Sequence, residues 1–133
     1  MNEDEKSLGV ILFAHGSAVE EANQSVHNLA RGIQEEGPYG YVRGAFLDVA
    51  QPNLDAAIAQ AVEAGVRRVI VIPYFLTEGI HLQRDLPNLI VQLKERYADL
   101  EIEVGRSLDD HPQMASIILG RVREVIGETK AAR

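Results

Sequence analysis

Cysteine is absent from the chain, which excludes disulfides, thiolate zinc sites and iron–sulfur clusters held by its own thiolates. Any metal must be held by imidazole, carboxylate or an exogenous ligand. Long apolar runs are missing too: none approaches the roughly 18 residues that span a bilayer. The opening stretch, Met1 to Ser7, lacks the basic start and apolar core of a signal peptide. Positive charge is scarce, with 13 Lys and Arg against 20 Asp and Glu and a formal net charge of −7. Phosphate neutralisation needs clustered basic residues, so general nucleic-acid binding is not expected. The expectation is a cytoplasmic protein with neither nucleic acid nor membrane as partner, in which a polyanionic substrate has to find a local basic patch.

Several catalytic motifs are also missing. Without a GxxxxGK[ST] phosphate loop there is no case for nucleotide hydrolysis, and no nucleotide cofactor is expected. No Gly-x-Ser-x-Gly elbow supports a hydrolase triad, and no HExxH pair supports a metalloprotease.

What is present fits one domain, 1–133. Apolar residues make up 46% and charged residues 25% of the 133, ordinary globular proportions. Leu8 to Ala14 is a continuous apolar run, as a strand buried on both faces should be. A helical stripe of Val19, Ala22, Val26, Leu29, Ala30 and Ile33 runs from Ala18 to Glu36 and stops at Gly37-Pro38. A second strand spans Tyr41 to Leu47. Pro52 suits the first turn of a helix that continues to about Ala64 and is closed by Gly65. Arg67 to Pro73 is a β-branched strand stopped by proline. Then come a helix from Ile80 to Tyr97, a strand from Glu101 to Val104 and a last helix from Pro112 to about Ile126, with frayed residues beyond. No internal repeat is visible. Strand and helix alternating four times imply an α/β, doubly wound domain: a four-stranded, mainly parallel sheet with helices on both faces.

In such sheets ligands bind beyond the carboxyl ends of the strands. Four loops lie there: Ala14 to Ser17, Asp48 to Gln51, Phe75 to His81 and Arg106 to Pro112. Three of the four histidines sit in them, and His27, in mid-helix, reads as a surface or packing residue. His15 follows a buried strand directly and, taken alone, reads as a strand-end cap that hydrogen-bonds a carbonyl. In the usual strand order the first and third strands are central neighbours, so His15 and His81 meet at one edge and can share a divalent ion at about 2.0–2.2 Å each. Asp48 brings a carboxylate to the same edge, or else closes an Asx turn or caps the helix at Pro52. Glu78 is either a partner for the His81 imidazole or a solvated loop charge. Asp110-His111-Pro112 reads as a helix start.

Taken in order, Leu-Phe-Ala-His-Gly-Ser17, Ala45-Phe-Leu-Asp48 with Gln51-Pro52, Val71-Ile-Pro-Tyr-Phe-Leu76, Gly79-Ile-His-Leu-Gln-Arg-Asp-Leu-Pro87 and His111-Pro112 resemble the short CbiX/SirB-type sirohydrochlorin chelatases. These are class II chelatases, kin of ferrochelatase. The similarity runs from about residue 8 to 126. It implies ATP-independent insertion of a divalent metal, Co²⁺ or else Fe²⁺ or Ni²⁺, into sirohydrochlorin on the way to cobalamin or sirohaem, with the metal as substrate. The family's active-site histidines fall on His15 and His81. Asp48 falls where the family has glutamate in a Phe-Leu-Glu stretch, Gln51 where a second glutamate is frequent, and Glu78 where small residues are usual.

Neutral imidazole can ligate such a metal and, with a reference pKa near 6.5, accept pyrrole protons. His15 and His81 are thus the expected ligands and bases, with Asp48 orienting an imidazole or completing the coordination. Sirohydrochlorin is a polycarboxylate, and Arg84, Arg106 and Arg43 are candidates for the compensating charge, the first two because they flank the active loops. Longer relatives resemble two such domains in tandem, so a homodimer is expected to give this chain the same arrangement. Two other functions compete: a non-catalytic metal or tetrapyrrole carrier on this fold, and a histidine phosphatase-like enzyme. The latter is disfavoured by Ala14, which stands where an arginine would hold phosphate.

Overall fold

The chain folds in the order α1 (Glu3–Lys6), β1 (Leu8–Ala14), α2 (Glu20–Glu36), β2 (Tyr41–Phe46), α3 (Leu54–Glu63), β3 (Arg68–Pro73), α4 (Ile80–Arg96), β4 (Glu101–Val104) and α5 (Met114–Ile126). The computed structural model describes residues 3–76 and 79–127. Glu78 and the expected frayed end at 128–133 lie outside the described residues. All four strands are parallel, in the order β2-β1-β3-β4. This is the doubly wound architecture anticipated from the alternation of strands and helices. The first and third strands are central neighbours.

One face of the sheet is closed by α3 and α4. Ile11, Phe13, Val69, Val71 and Ile102 on the strands pack there with Leu54, Ile58, Leu86, Ile90 and Leu93. Each large apolar side chain fully buried in this way contributes roughly 1.5–3 kcal/mol. Asp55 binds α3 to the end of α4, accepting from Tyr97 Oη at 2.7 Å and pairing with Arg96. Tyr41 on β2 reaches the same layer and donates to the carbonyl of Ala57 at 3.1 Å. Burial pushes its phenol above the usual range, although the nearby Arg43 guanidinium pulls the other way.

The opposite face is covered by α2 over β1 and β2. The helix buries Asn23, Val26 and Ala30. This face is rotated from the stripe read off the sequence, because Val19 and Leu29 of that stripe are exposed. Gly44 permits the fit, since a Cβ there would lie 2.9 Å from Val26 Cγ1. Gln34 closes the outer edge of β2: its Oε1 accepts the Val42 amide at 2.8 Å and its Nε2 donates to the Tyr39 carbonyl at 2.6 Å. His27 is a packing residue, its ring 5.3 Å from that of Phe46.

Two helix starts differ from expectation. α3 begins at Leu54 and not at Pro52, because Asn53 is the better cap: its Oδ1 accepts the Ala56 amide at 2.9 Å. Pro52 stays outside the helix, and its carbonyl takes the Phe46 amide at 2.9 Å. α5 starts at Met114 and not at Pro112, after a turn in which His111 Nδ1 accepts the Gln113 amide at 3.1 Å.

Candidate active site

β1, β2 and β3 end in register, with Phe13 level with Ala45 on one side and Pro73 on the other. The loops that follow are joined beyond the last strand residue by backbone hydrogen bonds. Leu47 N–H donates to Ala14 O at 2.8 Å, Asp48 N–H to His15 O at 3.0 Å, and Tyr74 N–H to Phe13 O at 2.7 Å. The fourth loop joins in through Leu108 N–H, which donates to Phe75 O at 3.2 Å. The parallel ladder thus continues past the sheet and holds the chemistry-bearing loops side by side.

His15 is exposed at this edge. Its ring stands edge-on against Phe75, centroids 4.4 Å apart and planes at 78°. Phe75 is buried and makes a second perpendicular contact, at 6.4 Å, with Phe13 of β1. An edge-to-face pair of this kind favours one ring orientation. The residue that steadies His15 therefore comes from the β3–α4 loop, the same loop that leads to His81. His81 is the second residue of α4, whose cap is Gly79. The structure brings the His15 loop and the start of the His81 helix to one edge of the sheet.

Asp48 is at that edge through its backbone bond to His15. Its carboxylate turns onto its own loop, with Oδ1 accepting the Val49 amide at 2.8 Å. The bond is to the amide of the very next residue, one short of the amide an Asx turn takes, and α3 is capped by Asn53 instead. Among the described residues no group of three or more His, Asp and Glu is placed to hold a metal. Arg84, in the first turns of α4, and Arg106, just after β4, are both exposed near the edge. Arg43 lies in mid-strand, its guanidinium 4.7 Å over the Tyr41 ring and bonded to the Val42 carbonyl at 2.8 Å, away from the loops. Of the four helices that open onto this edge, α2 carries Glu20 and Glu21 and α3 carries Asp55 in the first turn, while α4 and α5 have no acid there. The positive end of α4 and its two neighbouring arginines thus form the side of the edge best suited to carboxylates.

Two residues with a part in this site were not singled out from the sequence. Phe75 was read as a loop position and as part of the Val71 to Leu76 stretch, with no role of its own. Asn23 interrupts an apolar stripe and is the buried polar side chain of α2. Its Oδ1 accepts the Ser17 amide at 2.9 Å and its Nδ2 donates to the Ser17 carbonyl at 2.8 Å. That polar interruption was the signal available. Ser17 in turn accepts the Val19 amide at 3.0 Å. Asn23→Ala removes both partners of Ser17 at once and should cost about 1–3 kcal/mol, read as a fall of several degrees in Tm. The insertion rate proposed below should fall with it. An unchanged Tm would show that Asn23 does not hold the His15 loop.

A parallel α/β sheet with imidazole-bearing loops at its switch point defines a class of ligand-binding domain with the open edge as its site. The chain belongs to the CbiX family, whose model matches residues 9–125. It is 28% identical to the sirohydrochlorin cobaltochelatase of Methanopyrus kandleri over 91% of this chain and 99% of that protein. Among solved structures it resembles a putative cobalamin biosynthesis CbiX protein from Marinobacter aquaeolei VT8, with a TM-score of 0.78, 27% identity, and 90% of this chain and 98% of that one covered. It also shares the fold of the sirohydrochlorin chelatase SirB from Bacillus subtilis subspecies spizizenii in complex with cobalt, at a TM-score of 0.78 and 21% identity. The match covers 89% of this chain but only 50% of that one.

Proposed function

We propose that this chain is a cytoplasmic, homodimeric chelatase that inserts a divalent metal, Co²⁺ first among the candidates, into sirohydrochlorin without ATP. The observation that carries the reading is the meeting of the His15 ring with Phe75, which sets His15 against the first residue of the loop that leads to α4. Membership of the family and the cobaltochelatase relative supply the substrate. Insertion releases two pyrrole protons as the metal enters the ring, so the site must strip water from the ion and take up protons. In this proposal His15 and His81 divide the work of metal ligand and proton acceptor. Asp48 supports them from the adjoining loop. Arg84 and Arg106, beside the acid-free start of α4, hold the substrate carboxylates.

The test is anaerobic mixing of the protein with sirohydrochlorin and Co²⁺, Fe²⁺ or Ni²⁺ in turn, followed by the visible spectrum. Insertion should be faster than the protein-free reaction. Arg84→Glu and Arg106→Glu should raise the KM for sirohydrochlorin severalfold. Tight binding without faster insertion would make the chain a carrier and overturn the catalytic reading. An unchanged KM in both variants would remove the arginines from the site.

A further inference from the structure

Val49 has a φ of 56°, in the left-handed region. Among the described residues one other non-glycine residue is found there, Asp110 at 62°, and aspartate is a type that tolerates the region. Valine is not, because its branched Cβ crowds the backbone. The cause is a three-residue turn, in which Ala50 N–H donates to Asp48 O at 2.7 Å across Val49. With positive φ at the middle residue, this is the rare and strained form of the γ-turn. The turn is held from several sides. Asp48 Oδ1 accepts the Val49 amide, Leu47 and Asp48 are bonded to the β1 loop, and Phe46 N–H closes the base on Pro52 O.

Packing does not offset the strain. Val49 is 68% exposed and belongs to neither packed face of the sheet. Glycine or asparagine would take the same backbone more readily. A valine held in strain and left uncovered gains its contact from a molecule that arrives. It has apolar company. Val19 in the β1–α2 loop, Leu47 in its own loop and Leu76 in the β3–α4 loop are exposed as well. Each of the three loops around His15 thus presents a large apolar side chain to solvent.

The strand order β2-β1-β3-β4 sets the sequence of groups along the edge. Val49 follows β2, His15 follows β1, Arg84 lies in the helix after β3, and Arg106 follows β4. Three strand spacings, about 14 Å, separate the first from the last. An apolar end, a central imidazole and a basic end suit a flat ring system with apolar faces and carboxylates on its rim. We infer that Val49 is a substrate-contact residue, its methyl groups laid against the face of the macrocycle while rim carboxylates reach Arg84 and Arg106. The inference rests on the chelatase reading above and names the contact that favours a closed ring over an open polycarboxylate.

Strain and contact move two measurements in different directions. Val49→Asn and Val49→Gly relax the turn and should leave Tm unchanged or raise it. Both should raise the Kd for metal-free sirohydrochlorin, titrated anaerobically by its visible spectrum, about tenfold, the worth of burying most of one valine. In insertion the KM for sirohydrochlorin should rise likewise, while the KM for Co²⁺ stays put. Val49→Ile should keep the affinity, as should Val62→Asn at an exposed valine of α3. An unchanged Kd in both relaxing variants would overturn the contact. So would a Tm lowered by several degrees in both, which would mean that Val49 packs within the protein itself. The titration needs no turnover: weakened binding in the variants of a protein that does not speed insertion would uphold the contact and overturn the catalysis. An unaltered protein that does not bind sirohydrochlorin would remove both.

Discussion

His15→Ala should lower the insertion rate by about 10²-fold or more, the usual contribution of a positioned acid–base group, with almost no change in Tm. The side chain is exposed and its ring contact is to Phe75, so folding loses little when it goes. The form of the kinetic loss assigns the role. If His15 ligates the metal, the KM for Co²⁺ rises. If it accepts a pyrrole proton, kcat falls while that KM stays put. Phe75→Leu keeps a buried apolar side chain but removes the edge-on contact, and should give an intermediate loss in the same kinetic parameter that His15→Ala changes. Free imidazole added to His15→Ala should restore part of the rate. His15→Ala at the full rate of the unaltered protein would show that the imidazole has no part in the chemistry.

Much of this edge was legible in the sequence because buried parallel strands announce themselves. The apolar run at 8–14 became β1 with the expected ends, and Glu101–Val104 became β4. Once those strands are fixed, parallel winding alone sends the loops of His15, Asp48 and His81 to one side. Local rules failed where two signals competed. Pro52 is acceptable at a helix start, but Asn53 offers an oxygen to the Ala56 amide, and the hydrogen bond decides. The α2 stripe was read by apolarity and missed Asn23, whose burial is justified by a backbone six residues earlier.

α5 illustrates a different limit. Its spacing of Ile118, Val122 and Val125 is that of a helix with an apolar face, yet the three are exposed, and the pattern is the same whatever would cover it. Periodicity reports the need for burial and not its place. The roles proposed for Arg84 and Arg106 depend similarly on where the loops open, which follows from the strand order, while Arg43, a candidate that flanks no active loop, lies over Tyr41 in mid-strand.

The edge should be most sensitive at a residue with no side chain. Gly16 has φ +90°, and a Cβ there would run into the carbonyl oxygen of Asp48 and lie 3.3 Å from Phe46 Cβ. Gly16→Ala must therefore push the His15 loop away from the β2 loop and break the Asp48 to His15 backbone bond. The left-handed backbone costs roughly 1–2 kcal/mol and the lost hydrogen bond about 1 more. The expected loss is on the order of 2–4 kcal/mol, read as a drop of about 10 °C in Tm. The insertion rate should fall by about 10²-fold, since a displacement of around 1 Å in a reacting group can cost that much. Gly65→Ala is the control that separates the two causes. Its φ of +91° is equally left-handed, but nothing lies within 4 Å of a Cβ there. It should show the backbone cost alone, with the insertion rate intact. Equal effects of the two substitutions on rate and on Tm would mean that the contact between Gly16 and Asp48 does not position His15, and that the edge is held by the strand ladder alone.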